Sequence, residues 1–301
     1  MDGSSRDLAV VVVSYECRGL VLACLESLER HPLRSGRMTV HLVDNASSDG
    51  TVDEVRSRFP AVELTALERN AGFSVANNIV LRAVRTPYVL LLNPDTEATE
   101  GALDRMVDVM ERRPDVGMAG CRLVQPDGTF DHAATRSFPT PLSALAHFTG
   151  IGRRSDSRAL GGYRAPEVDE RGSGEVDAVN GAFMLVRRSA LGDVGLLDEA
   201  YWLYMEDLDW CYRFHRHGWK VLYDGGATFV HVKGGASGKL RAPRQNVAFH
   251  RGMGRFYRKF HGDRRPLTAA VVYLGIAVKL AVSLVRSGIG RRVPAWFASA
   301  R

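Results

Sequence analysis

The chain has 301 residues, 45% of them hydrophobic and 25% charged, a balance that excludes a disordered or fibrous protein. Its net charge of +6 and pI of about 9.3 argue against an acidic solvating domain and leave anionic partners open. At this length a core forms without disulfide staples. Cys17, Cys24, Cys121 and Cys211 show neither CxxC nor metal spacing, which predicts reduced thiols in a cytosolic protein.

"MDGSSRDLAVVVVSYE" lacks the basic start and cleavage site of a signal peptide. Its apolar run, Leu8 to Val13, predicts a buried parallel strand. Leu20 to Arg30 has helical spacing, with Leu22, Leu25 and Leu28 inward. A second strand over Thr39 to Val43 leads into the turn "VDNASSDGT", then a helix from Thr51 to Phe59. A third strand, Val62 to Ala66, precedes a helix opened near Gly72, and Tyr88 to Leu92 is a fourth, fully apolar strand ending at "NPD". Strand and helix alternate four times, which predicts a doubly wound α/β sheet, mostly parallel. Ligands of such sheets bind at the carboxyl ends of the strands, so "DNASSDG" and "NPD" should share one crevice.

The second half is less regular. Residues 141–174 are rich in Gly, Arg and Ser, and fit a lid or a disordered excursion. Structure resumes with "VDAVNGAFMLVRRSAL", a helix over Met205 to His217, and two short strands, Lys220 to Tyr223 and Ala227 to Val232.

The first strand is followed by "SYECRGL" rather than GxGxxG, and no Walker lysine motif occurs. Phosphate handling would then fall to a divalent cation on carboxylates. Asp95 fits such a ligand, or an Asx-Pro turn opening an acidic helix. Glu206, Asp207 and Asp209 lie among Tyr201, Trp202, Tyr204 and Trp210, where raised pKa values would suit a general base. Asp209 has a local partner in Arg213 at i,i+4, whereas Glu206 and Asp207 have none nearby in sequence. His231 ends the last strand as a core residue or a ligand, and Lys233 and Lys239 beyond it could face phosphate charge.

Together, "VVVSYE", "VDNASSDGT", "ERNAGFSVANN", "LLLNPD", "NGAFMLVRR", "YMEDLDWCYR" and "HVKGGAS", in this order over residues 8 to 260, resemble family 2 inverting glycosyltransferases, most of all their rhamnosyltransferase branch. The resemblance implies a GT-A-type, Rossmann-like catalytic domain over 1–262 and a helical tail over 263–301. It implies that Asp44 accepts hydrogen bonds from the donor's base, that Tyr15 sits beside that base, and that Arg69 lies near the nucleotide. Asn93 and Asp95 take the outer positions of the family's DxD motif, and Asp207 matches its general base, with Glu206 adjoining. His231 matches a histidine that completes the metal site in related galactofuranosyltransferases. Mg²⁺ or Mn²⁺ is the implied cofactor, at a site weakened by the uncharged Asn93. The implied donor is dTDP-L-rhamnose, with UDP-galactofuranose, another hexose donor or a non-catalytic nucleotide-sugar scaffold as alternatives. The acceptor would be a polyprenyl-diphosphate-linked sugar or glycan in cell-wall assembly. A nucleic-acid partner has only the weak cue of Arg255 to Arg258.

Leu267 to Val285 would span ~28 Å as a helix, near the thickness of a bilayer core. Lys279, Ser283 and Arg286 form a polar stripe at i, i+4, i+7, and basic residues flank both ends (Arg264 and Arg265; Arg286, Arg291 and Arg292). This favours an amphipathic helix lying in the membrane plane over a docked or a spanning one. The expected location is cytoplasmic, peripheral on the inner face of the plasma membrane. The pattern does not speak to oligomeric state.

Overall fold

A computed structural model describes residues 6–138, 168–232, 242–262 and 266–290. The glycine-rich segment with Lys233 and Lys239, most of the 141–174 excursion, and Arg264, Arg265, Arg291 and Arg292 lie outside the described residues.

The first strands and helices follow the hydrophobic pattern closely. β1 (Leu8–Ser14) is buried at every position, as its run of valines requires. α1 (Arg18–Arg30) turns Leu22, Leu25 and Leu28 inward. β2 (Met38–Asp44), α2 (Thr51–Arg58), β3 (Glu63–Ala66), α3 (Phe73–Ala83) and β4 (Tyr88–Leu92) complete the doubly wound half. β1 pairs in parallel with β2 and with β4, so the chain reverses its winding direction at β1. The crevice at such a reversal is where α/β sheets take ligands.

Beyond β4 come β5 (Thr96–Ala98), α4 (Ala102–Arg112), β6 (Val116–Val124), β7 (Thr135–Arg136), β8 (Ser173–Glu175), β9 (Ala178–Val179) and β10 (Phe183–Arg187). A short α5 (Leu191–Val194), then α6 (Glu206–Arg216) and β11 (Lys220–His231), follow. The main sheet runs β3-β2-β1-β4-β10-β6-β11-β5, with β8 beside β11, while β7 and β9 form a separate ribbon. It is parallel as far as β4; β10 then enters antiparallel between β4 and β6. The last part of the presumed excursion is therefore ordered into the sheet as β8.

The two short strands expected after α6 are one. β11 runs twelve residues with a bulge inside it: it advances four residues, Asp224 to Thr228, while β6 advances one, Cys121 to Arg122. Asp224, buried, holds the bulge by accepting from Gly226 N–H at 2.7 Å and from Arg105 at 3.0 Å. A Cβ at Gly226 would run into the Arg105 guanidinium, so a side chain there would displace Arg105 from Asp224.

Among the described residues, contacts gather 6–138, 168–202 and 206–232 into one unit and 203–205 with 242–290 into a second. In the second, α7 (Pro243–His261) and α8 (Pro266–Gly290) pack along each other. Tyr257, Val272 and Ile276 form their apolar contact, and Asn246 donates to Ser287 Oγ at 2.6 Å. Lys279 and Ser283, read as part of a polar stripe, are half-buried, and Arg286 is exposed. Apart from Arg286 the outward positions are apolar: Leu267, Val271, Leu274, Val278, Val282 and Val285 are all exposed, at helical spacing. Pro266–Ser287 is long and apolar enough to cross a membrane by length and composition.

Candidate active site

Three groups of residues meet at the carboxyl ends of the central strands. The first is the β2 turn. Asp44 is wholly buried opposite Ser14 of β1. Its carboxylate accepts from Ser14 Oγ at 2.7 Å, Ser47 N–H at 2.7 Å and Ser47 Oγ at 2.6 Å. The Asp is thus first the anchor of its own turn, which lets Ala46 hold φ +65°. The neighbouring β1 loop is tied to it: Glu16 accepts from Ser48 N–H and Oγ, both at 2.9 Å, and Asp49 accepts from Arg18 N–H at 2.8 Å. Tyr15 stands at the head of that loop with 48% of its surface exposed. Asn45 accepts from Ala71 N–H at 3.1 Å, so the "ERNAGF" segment, with exposed Arg69, is fastened to the same turn.

The second group is set by strand pairing. β11 runs antiparallel to β5 with His231 opposite Thr96, which brings His231 against Asp95. Val232 N–H donates to Asp95 O at 2.8 Å, and His231 Nε2 lies 3.5 Å from Asp95 Oδ1. On the other side of the ring, Nδ1 is 3.2 Å from Asp131 Oδ2. Burial alone would push the imidazole pKa down, but its bonds to Asp131 and Asp95 outweigh that and raise it to about 9. Asp131 arrives by way of a turn in which Gln125 N–H donates to Thr129 O at 2.8 Å, and its own N–H donates to Leu123 O at 2.8 Å.

The third group surrounds Asp207 in the first turn of α6. Asp207 accepts from the neighbouring Leu208 N–H through Oδ1 at 2.8 Å and finds its ion-pair partner at a distance: Arg136 of β7 donates Nη2 to Asp207 Oδ2 and to Val179 O. Gly181 N–H donates to the same carboxylate oxygen at 3.2 Å. The "NGA" turn then joins the groups, because Asn93 N–H donates to Ala182 O at 3.0 Å and Asn180 Nδ2 to Ala133 O at 3.2 Å. Tyr204 and Met205, just before the helix, hold φ +69° and +74°, a strained entry for non-glycine residues. Asp209 pairs with Arg213 at 2.7 Å, as its spacing predicted, and Arg213 goes on to cap Val194 O and Leu196 O.

Glu206 behaves differently from Asp207. It is buried, and its Oε2 finds no hydrogen-bond partner among the described residues. Burial first, and then the adjacent Asp207 charge, hold its pKa well above the usual carboxylate value. A raised folded pKa means the native state keeps a proton the unfolded chain releases, so stability falls as pH rises from the unfolded value of 4.5 toward the folded one. Glu206→Gln copies the protonated form. The variant should gain on the parent by about 1.4 kcal/mol per pH unit across that window. Denaturant unfolding of both proteins over a pH series measures this, and parallel curves would contradict a neutral Glu206.

Arg136 and Asp131 escaped the sequence reading. Both sit in a stretch without hydrophobic period, and only long-range pairing brings them to the site.

A family model, Glycosyl transferase family 2, matches residues 9–195. An N-acetylglucosaminyl-diphospho-decaprenol L-rhamnosyltransferase of Mycobacterium tuberculosis is 30% identical over 254 residues, 81% of each chain. The chain belongs to glycosyltransferase family 2. This glycosyltransferase is also similar to the rhamnosyltransferase WbbL of Escherichia coli, 26% identical over 160 residues covering 50% of this chain and 57% of that one. Its fold matches a Pyrobaculum calidifontis mannosyltransferase solved with GDP-Man and Mn²⁺, at TM-score 0.56 and 17% identity, over 98% of this chain and 75% of that one. The same holds for GalNAc-T7 with UDP, GalNAc and Mn²⁺, at TM-score 0.59 and 14% identity, over 84% and 47%. The glycosyltransferase has the GT-A fold, and it is a nucleotide-sugar-dependent enzyme.

Proposed function

We propose that this transferase moves L-rhamnose from dTDP-L-rhamnose to a hydroxyl of a polyprenyl-diphosphate-linked sugar, with inversion, at the cytoplasmic face of the plasma membrane. The observation that carries the reading is the similarity, over 81% of both chains, to an enzyme named for rhamnosyl transfer to a decaprenol-linked acceptor.

Asp207 is the base in this scheme. It accepts the proton of the attacking hydroxyl, while Arg136 and Gly181 N–H fix the carboxylate in place. Glu206, whose burial favours its protonated form, is the less suited of the two to act as base. The cross-tied β1 and β2 loops, with Tyr15, Asp44 and Arg69, cradle the nucleotide.

Asp95 and His231 suit a divalent cation, being a hard carboxylate and an imidazole 3.5 Å apart and largely shielded from water. Among the described residues no three His, Cys, Asp or Glu side chains form a complete cage. The remaining positions would therefore fall to diphosphate oxygens and water, as in sites that bind a metal with its nucleotide. Bound there, Mg²⁺ or Mn²⁺ supplies positive charge to the departing nucleoside diphosphate. Asn93 contributes through its backbone, where its N–H fixes the "NGA" turn.

Calorimetric titration of dTDP-L-rhamnose, UDP-galactofuranose and UDP- or GDP-hexoses, each with and without Mn²⁺, tests the donor. The expected result is a preference for dTDP-L-rhamnose of about tenfold or more, roughly 1.4 kcal/mol, and tighter binding with Mn²⁺. Equal or better binding of a UDP or GDP sugar would reject this donor.

The α7–α8 hairpin supports a membrane surface as partner. The outward stripe of α8 is apolar, while α7 at its side exposes Arg251 and Arg258. Spanning would draw that charged helix into hydrocarbon at about 2.5–3.5 kcal/mol per central charge. Lying in the interface plane sinks the stripe and leaves the arginines among anionic headgroups. We therefore propose that α7 and α8 lie on the bilayer surface and that the catalytic domain takes up most of 1–262.

A further inference from the structure

Building on the assignment of His231 to a cation site, we propose that Asp131 is a positioning residue that fixes the tautomer and ring plane of His231, so that Nε2 faces the cation beside Asp95.

The geometry argues for this role. Asp131 is fully shielded from solvent at 1% exposure, yet it is not a surface charge trapped by chance. Its Oδ1 accepts Ala133 N–H at 3.0 Å, its N–H reaches Leu123 O at 2.8 Å, and its carbonyl accepts Ala134 N–H at 2.8 Å. The carboxylate is thereby set rigidly, with Oδ2 left 3.2 Å from His231 Nδ1. With the Asp131 carboxylate accepting, Nδ1 donates, and Nε2, on the Asp95 side, is the nitrogen that a metal would take in place of its own proton. Metal-binding histidines commonly donate their second ring N–H to a carboxylate in this way.

Asp95 and Asp131 bring one carboxylate to each edge of one buried imidazole. Burying such a group for stability alone is costly, and an apolar replacement is often neutral or better. The turn at 125–129 exists to return the chain so that Asp131 meets the end of β11, one strand away from the end of β6.

The test is Mn²⁺ affinity of the full chain in saturating dTDP, read by calorimetry or by the electron paramagnetic resonance of free Mn²⁺. Asp131→Ala should weaken Mn²⁺ binding roughly 10- to 100-fold. Asp131→Asn, whose carbonyl still accepts the Nδ1 hydrogen, should recover part of the loss. Because Asp131 acts through His231, the double variant Asp131→Ala/His231→Ala should bind no more weakly than His231→Ala alone. Thermal unfolding without metal establishes that each variant is folded; should Asp131→Ala fail, Asp131→Asn carries the same comparison. Unchanged Mn²⁺ affinity in Asp131→Ala, or losses that multiply in the double variant, would overturn the positioning role while leaving His231 a ligand. Wild-type affinity in His231→Ala would instead remove the cation site itself, and this inference with it.

Discussion

Replacing Asp207 by Asn should lower turnover by roughly 10²- to 10⁴-fold, the range a positioned general base supplies. Asn keeps the size of the side chain and a carbonyl oxygen for Gly181 N–H and Arg136, so the loss isolates the proton. Donor affinity, measured by calorimetry, should change little. Glu206→Gln should retain turnover within a few-fold, because burial and the Asp207 charge already favour its neutral form. The two variants together separate adjacent acids that the sequence presents as equals. Near-normal turnover by Asp207→Asn, or a collapse confined to Glu206→Gln, would assign the base elsewhere.

The second large effect concerns the membrane. Leu274, Val278 and Val282 are 66%, 55% and 45% exposed on the outer stripe of α8, so their replacement by Glu leaves the α7–α8 contact intact. Each buried apolar side chain contributes about 1.5–3 kcal/mol. With partial immersion, the triple change should reduce partition onto vesicles containing phosphatidylglycerol by about 10²- to 10³-fold. Raising salt should weaken the parent's binding only in part, since the apolar share is not screened. Co-sedimentation reads both, and a triple variant that still pellets with vesicles would show that this face does not touch lipid.

How legible was this in the sequence? The half built on β1 to β4 was almost fully so, because buried parallel strands appear as unbroken apolar runs and Gly72 and Asp44 mark the turns between them. Asp95 and His231 could be named, but that they touch follows from the antiparallel pairing of β5 with β11, and three-residue β5 is too short to leave a pattern. Arg136 and Asp131 were illegible for a related reason: each meets its partner in the site at a residue 43 or more positions away. Gly225 and Gly226 look like a break between strands, whereas they are the inside of a bulge. On α8 the period of the polar residues was visible, but which side α7 would cover was not.

That bulge in β11 governs more than local shape. Side chains alternate faces along a strand, so the number of residues between Asp224 and Thr228 decides whether position 231 or one of its neighbours looks toward Asp95. Removing a single residue there would put a valine beside Asp95 in place of the imidazole, and would turn buried Phe229 away from Phe183 as well. The number of residues in this short stretch, and not only their identity, therefore sets what the site presents.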